Sequence, residues 1–101
     1  MEMHEIIAII TGGASGLGEA TTRRIVAEGG KVAIFDMNEE RGKELVDELG
    51  EDHVLFLKTD VANAENVEAN VAEAVSVFGK VNAVVNCAGI ATPGKVVSKG
   101  G

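Results

Sequence analysis

Four glycines within seven residues, Gly12, Gly13, Gly16 and Gly18, follow directly on an aliphatic run, Ile6 to Ile10. Without a Cβ in the way, such a backbone turns sharply and comes close to whatever lies above it. The pattern after Gly16 reads as a helix opening near Leu17. Its free N–H groups and positive dipole end would therefore aim at the same spot. A strand, a glycine turn and a helix N-terminus in that order make a seat for a phosphate anion. The spacing over Gly12, Gly16 and Gly18 is Gly-x-x-x-Gly-x-Gly, not the general G-x-G-x-x-G, and the turn alone also fits a plain tight turn. A dinucleotide seat further needs an acidic residue roughly 20 positions on. Asp36 meets that need at the end of the apolar run Lys31-Val-Ala-Ile-Phe-Asp36.

Other chemistries find little support. The 101 residues carry 9 Lys and Arg against 16 Asp and Glu, a net charge of −7. Nucleic acids and anionic membranes both call for a positive face, and no basic cluster interrupts this acidity. No run is long enough to span a bilayer. The first ten residues hold Glu2 and Glu5 without Lys or Arg, unlike a secretory signal. A single cysteine, Cys87, excludes an internal disulfide and fits a reducing compartment, expected to be the cytoplasm or the mitochondrial matrix. His4 and His53 lie far apart without partners at ligand spacing, so no metal is expected.

The elements that must position the glycine turn can be read in order. After the first strand, Leu17 to Glu28 reads as a helix stopped by Gly29-Gly30. Its face is mixed: Leu17, Ala20, Thr21 and Ile25 are expected inward, with Glu19, Arg23 and Glu28 in water. Lys31 to Asp36 is a second strand. Asn38 can cap a second helix, with Glu39 and Glu40 in its acid-favouring first turn. Gly42, Leu45, Val46 and Leu49 share one face of that helix, which ends at Gly50. His53 to Lys58 is a third strand. Asn63 can cap a third helix with Val67, Val71, Ala74, Val75 and Phe78 along one side, closed by Gly79. Val81 to Asn86 is a fourth strand. Alternation β-α-β-α-β-α-β argues for an α/β fold, a doubly wound parallel sheet in the order 3-2-1-4. The glycine turn then lies where the chain reverses across the sheet. The first two helices share one face and the third takes the other.

With those residues in view, the chain resembles the N-terminal, NAD-binding half of a short-chain dehydrogenase/reductase. The resemblance runs from Ile6 to about Ala91. Its anchors are Thr11-Gly-Gly-Ala-Ser-Gly-Leu-Gly18 for the family's T-G-x-x-x-G-x-G, Asp36, Asp60-Val61, and Asn86-Cys-Ala-Gly89 where the family usually has N-N-A-G. The wording Asn86 to Ala91 is similar to the type-2 3-hydroxyacyl-CoA/hydroxysteroid dehydrogenase branch. The fold implied is the first half of a Rossmann-type sheet over residues 1–91. Residues 92–101 are then expected to be a mobile loop or the place where a longer chain was cut.

The resemblance implies a cofactor, NAD, and a role for each matched position. Gly12, Gly16 and Gly18 let the diphosphate approach the backbone, and the Leu17 N–H lies at the helix start. Ser15 either donates its hydroxyl to phosphate or ribose, or caps the helix. Asp36 accepts from the adenosine ribose hydroxyls, or is merely a solvated acid at a strand end. A 2′-phosphate there would meet a carboxylate, with no compensating charge on Met37, which favours NAD over NADP. Arg41 is expected to point from its helix into water. Asp60 and Val61 match the pair that holds the adenine edge, although Asp60 could instead only shape the turn before Asn63. Ala88 and Gly89 are small so that a cofactor ring can pass. Cys87 is expected to be a small residue beside the cofactor rather than a nucleophile, and Asn86 to tie neighbouring strands together.

The family's chemistry is done by a serine and a Tyr-x-x-x-Lys pair beyond the fourth strand, where lysine lowers the tyrosine pKa for proton exchange with the substrate oxygen. This sequence has no tyrosine. No catalytic residue is therefore assigned to it. The expected parent is an NAD-dependent alcohol/ketone oxidoreductase, and a homo-oligomer; the alternative is a non-catalytic NAD-binding sensor or regulatory module. Strand four is expected to present a bare apolar edge.

Overall fold

Runs of aliphatic residues with no polar alternation need cover on both faces, and the chain supplies it. In the computed structural model, which describes residues 3–12, 14 and 16–87, four strands form one parallel sheet. They are β1 (Ile7–Thr11), β2 (Lys31–Asp36), β3 (Val54–Lys58) and β4 (Ala83–Asn86), in the order β3-β2-β1-β4. Helices α1 (Gly16–Ala27), α2 (Glu39–Leu49) and α3 (Ala64–Phe78) connect them, and a short 3-10 turn, Met3–Glu5, precedes β1. The topology is the doubly wound one expected from the alternation of elements.

The pleat divides the core in two, because successive side chains leave a strand on opposite faces. Ala8, Ile10, Val32, Ile34 and Val54 point to one side and pack with Ile25 of α1 and Leu45 of α2. Ile9, Ala33 and Phe35 point to the other and meet Ala74, Val71 and Phe78 of α3. The distribution of helices, two on one face and one on the other, is also the expected one.

Strand starts differ slightly from the sequence reading. β1 begins at Ile7, β3 at Val54 and β4 at Ala83, because the ladders begin there: Ile7 pairs with Lys31, Val32 with Val54 and Ala8 with Ala83. Val81 packs instead in the cluster under α3. A larger correction concerns α1. Leu17 is 73% exposed and Ala20 lies in water, while Gly18, Thr22 and Ile25 are the buried positions. The buried face of the helix thus runs through Gly18, Thr22 and Ile25, away from Leu17. On α3, Val75 is 39% exposed rather than packed, and Ala74 alone is fully buried.

Caps follow local chemistry closely. The Asn38 side chain accepts from the Arg41 N–H at 3.0 Å and that of Asn63 from the Asn66 N–H at 3.0 Å. Gly50 and Gly79 close α2 and α3 at φ 103° and 89°. Asn63→Ala removes one such acceptor and is expected to lower stability by about 1 kcal/mol. In a thermal melt that is a fall in Tm of roughly 4–8 °C for a domain of this size.

β4 lies at the sheet's end and alternates half-buried with exposed residues, Val84 being 68% exposed. The bare edge expected of the fourth strand is present among the described residues. No helix among them is long and apolar enough to cross a membrane.

Candidate functional site

Parallel strands deliver their carboxyl ends to one side of the sheet, and the motifs of interest gather there. Thr11 pairs with Phe35 and with Asn86, and Asp36 pairs with Lys58. Gly12 therefore leaves β1, Asp36 ends β2, Asp60 follows β3 and Cys87 follows β4 along a single rim. This is the rim at which the β1–β4 boundary forms the sheet's topological switch point, where ligands of open α/β sheets bind.

The turn after β1 is shaped by main chain. Gly12 has φ 72°, in the left-handed region, and its N–H donates to the Phe35 carbonyl at 2.8 Å. The chain then passes over the end of β2, where the buried Ala14 donates its N–H to Oδ2 of Asp36 at 3.0 Å. Oδ1 of the same carboxylate accepts from the Asn38 N–H at 2.9 Å. Asp36 is thus not a loosely solvated acid: both of its oxygens are oriented by backbone, with lone pairs left over for other donors. Met37 beside it is 58% exposed and offers no charge.

Gly16 opens α1 with φ 58°, and a Cβ built there meets nothing within 4 Å among the described residues. Leu17 is largely exposed, while Gly18 is buried. Among the described residues nothing fills the space directly beside Gly16, and the first-turn N–H groups of a helix lack intrahelical partners. These features fit an oxyanion group such as a diphosphate. Ser15, Ala88 and Gly89, together with Gly13 and residues 92–101, lie outside the described residues.

Asp60 does shape a turn: its Oδ1 accepts from the Ala62 N–H at 3.0 Å. Its own N–H is held by Oδ1 of Asn66 at 2.7 Å, and Val61 next to it is half-buried. Asn70 donates to the buried Thr59 hydroxyl at 2.8 Å and to the Lys58 carbonyl at 3.2 Å. Asn66 and Asn70 thereby position the loop after β3, a role the sequence reading did not assign. The signal was present in the spacing of Asn63, Asn66 and Asn70, which puts three amides on one face of α3. On the other side of the site, Oδ1 of Asn86 accepts from the Thr11 hydroxyl at 2.7 Å, so Asn86 ties β4 to β1 as expected. The Cys87 N–H continues the ladder to the Thr11 carbonyl at 2.9 Å, and its half-buried side chain packs against the core beneath α1 and α2.

Glu19, Arg23 and Arg41 keep part of the solvent contact expected of them, but they are paired with one another rather than free. Oε2 of Glu19 takes Nη2 of Arg41 at 2.6 Å and Nε of Arg23 at 2.9 Å, joining α2 to α1. Arg23 also forks onto Glu48 at 2.7 and 2.9 Å, and Nη1 of Arg41 reaches Glu44 at 2.9 Å. Arg41 points across to α1 because Glu19 offers a half-shielded carboxylate there. The hydrogen bond from Arg41, then that from Arg23, holds the Glu19 carboxyl below the usual carboxylate range. A depressed folded-state value contributes stability above the ordinary carboxylate pKa, and that contribution is lost as pH falls through the lowered one.

A shallow cleft of ≈ 430 Å³ lies at the opposite rim, lined by His4, Glu5, Ile7, Lys31, Lys80 and Asn82. None of the expected site residues that the structure describes lines it. It is the space left at the amino ends of β1 and β2.

Comparison with known proteins agrees with this geometry. Residues 6–99 match the family described as short chain dehydrogenase. The chain is 42% identical over 86 residues to 3-hydroxyacyl-CoA dehydrogenase type-2 of Drosophila melanogaster, covering 85% of this chain and 33% of that protein. It is 46% identical over 91 residues to 2,5-dichloro-2,5-cyclohexadiene-1,4-diol dehydrogenase LinX of Sphingobium indicum, covering 87% and 36%. A crystal structure of 3-ketoacyl-(acyl-carrier-protein) reductase from Brucella melitensis complexed with NADH superposes with a TM-score of 0.77 at 34% identity, over 81% of this chain and 34% of that one. The chain thus spans about a third of the length of these relatives. With the motif order, the 3-2-1-4 sheet and the match over nearly its whole length in agreement, the chain belongs to the short chain dehydrogenase family.

Proposed function

We propose that this chain holds the adenosine and diphosphate part of NAD for an oxidoreductase that moves hydride between NAD(H) and a small alcohol or ketone. One observation carries the reading: the Asp36 carboxylate lies against the glycine turn, 3.0 Å from the Ala14 nitrogen. An acid that can receive ribose hydroxyls and bare main chain that can receive phosphate therefore sit side by side. Gly12, Ser15, Gly16, Leu17 and Gly18 take the diphosphate in this reading. Asp36 and Met37 border the adenosine ribose, and Asp60 and Val61 the adenine edge. Cys87, Ala88 and Gly89 are assigned to the cofactor in the same reading, as small residues that let one of its rings pass. Asp36 disfavours a 2′-phosphate by like charge, hence NAD rather than NADP. The dehydrogenase names of the relatives, and the complex of the Brucella reductase with NADH, support the assignment.

Bound NAD supplies the nicotinamide ring that accepts or returns hydride. What this chain's own residues do is orient its other end. With no tyrosine among its 101 residues it carries no Tyr-x-x-x-Lys pair, and by itself it is expected to bind without turnover. The second reading is an NAD-responsive module that regulates without catalysis, for a parent protein in which no Ser and Tyr-x-x-x-Lys follow this stretch. Alcohol-dependent reduction of NAD by a protein containing this chain supports the enzyme; binding without turnover in that protein supports the module.

Calorimetric titration with NAD and with NADP tests the common premise. NAD is expected to bind more tightly, and Asp36→Ala to shrink the preference about tenfold, the equivalent of one lost charge-assisted contact. If neither nucleotide bound the folded wild-type chain, the reading would be wrong.

A further inference from the structure

The first cation after Asp36 in the chain is Arg41, and the structure ties the two residues together. Asn38 donates its N–H to Oδ1 of Asp36 at 2.9 Å, and its side chain accepts the Arg41 N–H at 3.0 Å. Arg41 is therefore rooted two hydrogen bonds away from the carboxylate proposed to read the ribose. Its head, however, is engaged twice, by Glu19 at 2.6 Å and by Glu44 at 2.9 Å. The other arginine of the group, Arg23, is engaged by Glu19 and Glu48. Two guanidinium groups thus face three carboxylates, and the cluster keeps no surplus positive charge. Asp36 and Arg41 bridge the same two regions, one through Ala14 in the glycine turn and the other through Glu19 in the first turn of α1.

We propose that the Glu19–Arg41–Glu44 pairing is a specificity element: it holds this arginine neutralised and directed to α1, so that a 2′-phosphate meets Asp36 and no available guanidinium. The inference rests on the dinucleotide reading above and adds to it that discrimination is set by two glutamates outside the glycine and Asp36 motifs. A guanidinium is a planar fork suited to phosphate, and two carboxylates already occupy that fork. Removing their charges leaves a long side chain, anchored beside Asp36, with donors to offer elsewhere.

The test is calorimetric titration with NAD and NADP of wild type, Glu19→Gln/Glu44→Gln, the same double variant with Arg41→Met, and Arg41→Met alone, each checked for folding by a thermal melt. The double variant is expected to bind NADP about tenfold more tightly than wild type, with NAD changed less than about twofold. Arg41→Met should abolish that gain, and alone should leave NADP affinity within about twofold of wild type. The gain should shrink between about 0.05 and about 0.5 M salt, as an exposed charge contact does. If the double variant does not fold, Glu44→Gln alone, whose side chain is 58% exposed, should show the same gain at about threefold. An unchanged NADP/NAD ratio, or equal weakening of both nucleotides, overturns the proposal by making the pairing purely structural. So does a loss of NADP affinity in Arg41→Met alone, which would place the arginine already at the phosphate. Binding of neither nucleotide by wild type overturns the underlying reading instead, and is distinguishable on that ground.

Discussion

Gly16→Asn is expected to weaken NAD binding about a hundredfold while the chain still folds. Asparagine is among the few residues that enter the left-handed region at low cost, and Gly16 sits there at φ 58°. A Cβ at this position meets nothing within 4 Å among the described residues, so the new side chain displaces none of them. It does enter the space beside Gly16, where the diphosphate is proposed to rest. Each charge-assisted hydrogen bond lost there is worth roughly 1.5–3 kcal/mol, and a hundredfold is about 2.7 kcal/mol. The backbone penalty should stay under about 1 kcal/mol, a fall in Tm of a few degrees. Titration and a thermal melt on the same sample read both quantities. Undiminished NAD affinity in a folded Gly16→Asn protein would place the phosphate elsewhere.

The positions that could be read from sequence are those whose chemistry is local. Asn38, Gly50, Asn63 and Gly79 declare helix ends by what a single side chain or its absence can do, and each is found at such an end. The strand order follows from alternation and handedness, without knowledge of any contact. The parallel order brings the end of β2 beside the turn after β1, so the nearness of Asp36 to that turn follows from topology, whereas its bond to the Ala14 N–H, across 22 residues, was not read. What escaped was the face of α1, where a hydropathy pattern gives weight to Leu17 and none to Gly18, although the smaller residue is the buried one. The ion pairs escaped for a different reason. Arg41 meets Glu19 and Arg23 meets Glu48 at separations of 22 and 25 residues, and such charges carry no periodic signature. Their geometry depends on how two helices lie side by side, which only the packed sheet face decides.

The second large effect falls on stability and leaves the site alone. At Gly42, on the buried face of α2, an added Cβ would coincide with the Phe56 ring, at Cδ1 and Cε1. Helix propensity argues for alanine here, since Gly→Ala in a helix interior gains about 1 kcal/mol. Overpacking argues against it, at about 1–3 kcal/mol for an extra methyl in a close contact. The clash is with the body of a ring held between α2 and the sheet, not with the tip of a flexible chain, so the second effect should win. Gly42→Ala is expected to lower Tm by roughly 4–8 °C, and Gly42→Val by more than about 10 °C, since it adds two methyls with less propensity gain. Pairing Gly42→Ala with Phe56→Leu should recover part of the loss, giving a coupling of about 1 kcal/mol in a double-mutant cycle. A higher Tm for Gly42→Ala would mean that the ring yields freely and that the close seating of α2 on β3 does not depend on glycine. NAD affinity measured on the folded fraction should be unchanged in all of these variants, in contrast to Gly16→Asn, because the distortion is confined to the α2–β3 contact and does not reach the rim where Asp36 meets the turn.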